Sequence, residues 1–114
     1  MNPHDVPSIE QLVESVREWL QDDVLAATEG RLQFHTRVAI NVLAIVEREL
    51  LLGAAHEAAH LERLRSLGVA DDASLAAAIR AGELDDRLAE VRAAVWQSVR
   101  DKLAVANPKY LTSP

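Results

Sequence analysis

Five consecutive residues, His56-Glu57-Ala58-Ala59-His60, spell a pattern that can do chemistry. Two imidazoles one helical turn apart can grip a zinc ion, and the glutamate between them can polarise an attacking water. That chemistry needs a third protein ligand. The extended form of the motif asks for glycine and histidine where this chain has Arg63 and Ser66. Glu83 or Glu90 could be put forward instead, but the sequence offers no edge strand to hold a peptide beside the metal. The simpler reading places His56, Glu57 and His60 on the partly exposed flank of an alanine-rich helix, with no metal and no cofactor expected. A zinc-dependent hydrolase is therefore a remote alternative.

A second set follows at intervals of four, three and four: Arg37, Asn41, Ala44 and Arg48 lie along one face of a helix. Two guanidinium groups with an amide between them suit a carboxylate or a phosphate. The structural alternative has both arginines paired with acids on neighbouring helices and Asn41 hydrogen-bonded inside the bundle, fixing register. His35, one turn after Arg31, is read as a structural histidine before a catalytic base. Tyr110 follows a helix-ending Asn107-Pro108 and is a candidate contact, either with its own bundle or with a partner. There is no glycine-rich phosphate loop or nucleophile elbow, and no serine stands in surroundings that suggest activation.

The elements that carry these residues read as helices throughout. Ser8 and Gln11 form a start signal, and Ile9, Leu12, Val13, Val16, Trp19 or Leu20, and Val24 recur at helical spacing to about Leu25–Ala27. After Thr28-Glu29-Gly30 a second helix is expected from Arg31 to Leu52, stopped by Gly53. Its middle, Val38 to Val46, is apolar nearly all round apart from Asn41, which predicts a central helix with neighbours on more than one side. A third helix spans Ala54 to Leu67 with Leu61 and Leu64 inward, closed by Gly68-Val69. Asp72 is expected to cap a fourth, Ala73 to Ala81, with Leu75, Ala78 and Ile79 inward. Asp85 is expected to cap a fifth, Asp86 to Ala106, striped by Leu88, Val91, Val95, Val99 and Leu103. Trp19 and Trp96 read as core or core-edge anchors. No segment alternates with period two, so strands are not expected. The prediction is one all-α domain over residues 1–114, a helical bundle of about four long helices plus one short, with extended tails at 1–7 and 108–114.

Composition narrows the function classes. The 114 residues are 49% hydrophobic and 26% charged, enough for one core without metal or cross-link. The absence of cysteine removes disulfides, thiolate metal sites and a thiol nucleophile. A net charge of −6 with no Lys/Arg cluster argues against nucleic acid and anionic membrane as partners. The amino terminus lacks the basic and apolar regions of a secretory signal, and the longest apolar run is too short to span a bilayer, so a cytoplasmic location is expected. Leu50-Leu51-Leu52 points three ways around a helix, leaving spare apolar surface and room for a homo-oligomer.

Two stretches resemble a known family. Gly30-Arg31-Leu32-Gln33-Phe34-His35-Thr36-Arg37-Val38-Ala39-Ile40-Asn41-Val42-Leu43, followed by Glu47-Arg48-Glu49-Leu50, is similar to the hallmark of a bacterial family of short helical proteins classed as a domain of unknown function. Val99-Arg100-Asp101-Lys102-Leu103-Ala104-Val105-Ala106-Asn107-Pro108-Lys109-Tyr110-Leu111 resembles that family's carboxy-terminal motif. Members are typically encoded beside a kinase of the aminoglycoside-phosphotransferase type and an acyl-CoA dehydrogenase. The resemblance implies a non-catalytic accessory subunit for such a kinase, which would phosphorylate a 4-hydroxyacyl-CoA in acid catabolism. It transfers no catalytic role to any residue, and it does not include His56 or His60. The alternative is a stand-alone helical module binding an acyl-CoA or another anionic metabolite.

Overall fold

The computed structural model describes residues 7–112, and every regular element among them is helical. The all-α expectation holds. Helix α1, Ile9–Trp19, begins as its sequence dictates: the Ser8 hydroxyl accepts from the Gln11 amide at 3.2 Å while the Gln11 side chain accepts from the Ser8 amide at 2.9 Å. It passes into a π-helical turn, Leu20–Val24, where the Leu25 amide reaches back five residues to the Leu20 carbonyl, and then into a short α2, Leu25–Ala27. Thr28 closes that end by donating to the Val24 carbonyl at 2.8 Å, and the Gln33 amide group bonds the Leu25 and Thr28 carbonyls.

Helix α3 then runs unbroken over Gly30–Ser66, 37 residues. The expected stop at Gly53 does not occur, and the second and third helices are one. Glycine inside a helix costs only about 1 kcal/mol relative to alanine. The flanking Leu50-Leu51-Leu52 and Ala54-Ala55 are strong helix formers that outweigh it. Gly68 is the true terminator. With φ of 80°, it lets the Gly68 amide bond the Arg65 carbonyl at 2.9 Å and the Val69 amide bond Leu64 at 3.1 Å, folding Val69 onto the core.

Helix α4, Asp72–Arg80, is capped by Asp71, whose carboxylate accepts from the Ser74 amide at 2.7 Å. The expected cap, Asp72, is instead the first helical residue. Gly82, φ 76°, ends α4 through the same double bond pattern, Gly82 to Ile79 at 3.1 Å and Glu83 to Ala78 at 3.0 Å. Asp85 does not cap α5 either, because it opens a 3-10 turn, Asp85–Arg87, and α5 follows as Leu88–Ala106. The tail expected to be extended forms α6, Pro108–Thr112, since proline ends one helix and suits the first turn of the next. Residues 1–6 and 113–114, where the rest of the extended tails was expected, lie outside the described residues.

Packing gathers the chain into two compact units, Met1–Leu51 and Leu52–Pro114, with α3 contributing to both. In the second unit Leu64, Leu67, Leu75, Ala78, Leu84 and Val91 form a buried cluster, and Val105 is buried as well. Leu61, Ile79, Leu88, Val95, Val99 and Trp96, expected inward or at the core edge, are substantially exposed.

The first unit is a helical hairpin. The rows shielded from solvent at least in part are Glu10, Val13 and Arg17 on α1, continued by Leu20 of the π-helical turn, and Gln33, Thr36, Ile40, Leu43 and Glu47 on α3, each spaced at three and four. Arg17 and Glu47 form an ion pair across the hairpin, which holds the guanidinium firmly charged. Among the described residues of this unit only Thr36 is buried, with its hydroxyl bonded to the Leu32 carbonyl at 2.8 Å. The helix expected to be surrounded is open along one side, where Val38, Val42 and Val46 reach solvent together with Trp19 of α1.

Candidate functional site

The polar side chains that meet most closely belong to the second unit. His60 and Arg63 project from the same face of α3, one turn apart, toward Ser98 and Asp101, one turn apart on α5. Ser98 Oγ lies 2.7 Å from His60 Nδ1 and accepts from Arg63 Nη1 at 2.9 Å. The other ring nitrogen, Nε2, is 2.7 Å from Asp72 Oδ1 at the start of α4. Arg63 Nη2 donates to Asp101 Oδ2 at 2.9 Å, and His56 Nε2 stands 4.0 Å from Asp101 Oδ1. With Asp72 accepting, the network assigns the His60 proton to Nε2 and leaves Nδ1 to accept from the Ser98 hydroxyl.

Burial alone would raise the Asp101 carboxyl, whose side chain is 19% exposed, but the Arg63 hydrogen bond and charge, aided by His56 and Gln97, hold it below its ordinary value.

Serine, histidine and aspartate in hydrogen-bonded sequence have the connectivity of a nucleophile relay, here with the two ring nitrogens exchanged. The setting denies it that chemistry. Ser98 lies inside α5, where backbone N–H groups are spent on helical hydrogen bonds and cannot receive an oxyanion. The adjoining cavity, of about 10 Å³ and walled by Leu64, Leu67 and Leu75, holds about one water. Asp72 is 78% exposed, so solvent weakens its hold on the ring. What the network does is tie α5 to α3 through Ser98 and Asp101, and α4 to α3 through His60.

The pentapeptide of the zinc reading is divided by these contacts. His60 spends both ring nitrogens on Ser98 and Asp72, while His56 turns to Asp101. Among the described residues no three His, Cys, Asp or Glu side chains gather as a metal site.

The other candidates fall in different places. Arg37 and Asn41 are exposed and Arg48 half-buried on one flank of α3; the interior role expected for Asn41 is not realised. By helical period Glu14 and Glu18 of α1 share that flank. His35 lies elsewhere around α3, accepting from Arg31 Nε at 3.3 Å and meeting the Phe34 ring edge-on at 5.6 Å between centroids. Tyr110 stands exposed on α6 in the other unit. No helix among the described residues is long and apolar enough to cross a membrane.

Sequence reasoning missed Ser98, Asp101 and Asp72 as a group. A signal was available. His56, His60 and Arg63 share one helical face at intervals of four and three, and Ser98 and Asp101 supply matching acceptors three apart on a later helix.

The matched stretch runs from α2 through every element that builds this network and into α6: the model of the domain of unknown function DUF6285 fits residues 26–110. The chain belongs to that family. No curated protein and no solved structure matches it. In this DUF6285 chain the match covers both the arginine-bearing stretch of α3 and the Arg63–Asp101 clasp.

Proposed function

We propose that this chain acts through contact, as a non-catalytic accessory subunit of an aminoglycoside-phosphotransferase-type kinase that works on a hydroxyacyl-CoA in acid catabolism. The observation that carries the reading is the polar flank of the first unit, where Arg37, Asn41 and Arg48 follow one another in a helical row beside Glu14 and Glu18. Such a row of mixed charge suits a protein surface of matching pattern, where electrostatic complementarity sets partner and register. It suits a free phosphate or CoA less well, because the two glutamates oppose an anion arriving alone. The kinase itself enters through the resemblance of residues 30–50 and 99–111, and DUF6285 membership leaves the activity open.

The test is co-expression with the kinase, followed by size-exclusion chromatography and by ADP release with a hydroxyacyl-CoA, each with and without this protein. Co-elution and faster turnover are expected, and the double variant Arg37→Glu/Arg48→Glu is expected to lose both while keeping its helical circular dichroism. Separate elution together with unchanged turnover would end the proposal. Calorimetric titration of the isolated protein with a CoA thioester addresses the stand-alone module, for which no heat is expected.

A further inference from the structure

Two apolar rows of the hairpin lie off the line where its helices meet. On α1, Ile9, Leu12, Val16 and Trp19 form a row about a quarter-turn from the row that contacts α3, and all four are exposed, Trp19 by 56%. On α3, Phe34, Val38, Val42 and Val46 follow at intervals of four on the side turned away from α1, with Phe34 60% and Val42 52% exposed. The same hairpin has no fully buried apolar side chain among its described residues. A two-helix layer of this kind needs a second layer.

The α3 row also says what that layer is. Its members are placed symmetrically about Ile40: Val38 against Val42, Phe34 against Val46, and at the two ends Arg31 against Glu49, both exposed. A strip whose apolar steps mirror one another while its ends carry opposite charge is complementary to itself reversed. We infer that a second copy of this chain covers the outer face of the N-terminal hairpin, with α3 packed antiparallel on its twin so that each Arg31 meets the partner's Glu49. The contact is isologous, which closes the assembly at two. It goes beyond the kinase proposal and centres on a different face of α3, so either can fail alone.

Sedimentation equilibrium of the full chain at micromolar concentration, without any kinase, gives the first reading. Twice the 12.5 kDa chain mass is expected. A chain that sediments at its single mass up to about 100 μM would overturn the proposal, including the case in which it then binds a different protein through this flank. The reading on register comes from surface charges that leave the fold alone. Arg31→Glu and Glu49→Arg each place two like-charge encounters in the dimer and are expected to weaken self-association by on the order of tenfold, while the double exchange restores it. If the double exchange is no better than the singles, the antiparallel α3 seam is wrong. In the core of the patch, Val42→Glu is expected to yield a monomer that keeps its C-terminal unit folded.

Discussion

Arg63 serves two acceptors at once, and the consequence is clearest in acid. Because Arg63 holds the Asp101 carboxyl below its ordinary value of 3.8, the folded state favours the ionised form more than the unfolded chain does. That contribution is fully present above the ordinary value and is lost as pH falls through it toward the lower folded value. Asp71 and Glu90 are also lowered, by the Ser74 amide and by Arg87 respectively, so a difference between variants isolates the Asp101 share. Urea midpoints measured from roughly pH 5 to pH 3 are expected to fall less steeply for Asp101→Asn than for the parent. Arg63→Ala removes the guanidinium from both Ser98 and Asp101. At neutral pH it is expected to cost roughly 1–2 kcal/mol in the same assay, more than a surface ion pair because both partners are mostly shielded. Had Arg63 been ornamental, the two midpoints would coincide. None of this was visible when the zinc pattern drew the eye, since Arg63 then counted only as the residue that spoiled an extended motif. A contact between positions 63 and 101 depends on how two helices pair, which helical spacing alone does not state.

At the scale of elements, the caps show where sequence reading succeeds and where it slips by one position. Ser8 with Gln11 and the Gly68-Val69 closure were legible because each signal is local and complete within six residues. Asp71 and Asp72 sit side by side, and only the backbone shows that Asp71 takes the extended cap conformation, leaving Asp72 free to reach His60. Asp71→Ala is therefore expected to lower the thermal midpoint more than Asp72→Ala does, and a scan of both variants by circular dichroism decides it. Gly53 misled in the opposite direction, because a glycine after a leucine run has the letters of a stop. Gly53 does not take the left-handed conformation that Gly68 and Gly82 adopt, and the helix continues. The tail slipped for a similar reason: Asn107-Pro108 was read as an end, although proline also begins helices.

At the scale of the whole molecule, the distribution of buried apolar residues is lopsided. Every buried apolar residue among those described, from Leu64 to Val105, belongs to the unit that starts at Leu52. No residue pattern hinted at this, because hydrophobic periodicity reports that a face is apolar and is silent on what covers it. Local opening follows from burial, so amide exchange is expected to be slowest between residues 64 and 105. Residues 31–49 are expected to exchange faster at dilution and to slow as concentration rises; exchange in that segment independent of concentration would contradict the expectation.

The five-residue turn at Leu20–Val24 has a bearing on how this chain can vary. It accommodates one residue more than an α-helical turn does, so the segments before and after it keep their orientation as though a spare link had been tucked into the chain. Removing Asp22 would let the coil tighten without re-aiming either Trp19 or Leu25. The same deletion anywhere within Ile9–Trp19 would spin the preceding side chains by about a hundred degrees. Length variation among kindred chains is accordingly expected to concentrate at this one spot, a tolerance written into geometry and not into any particular side chain.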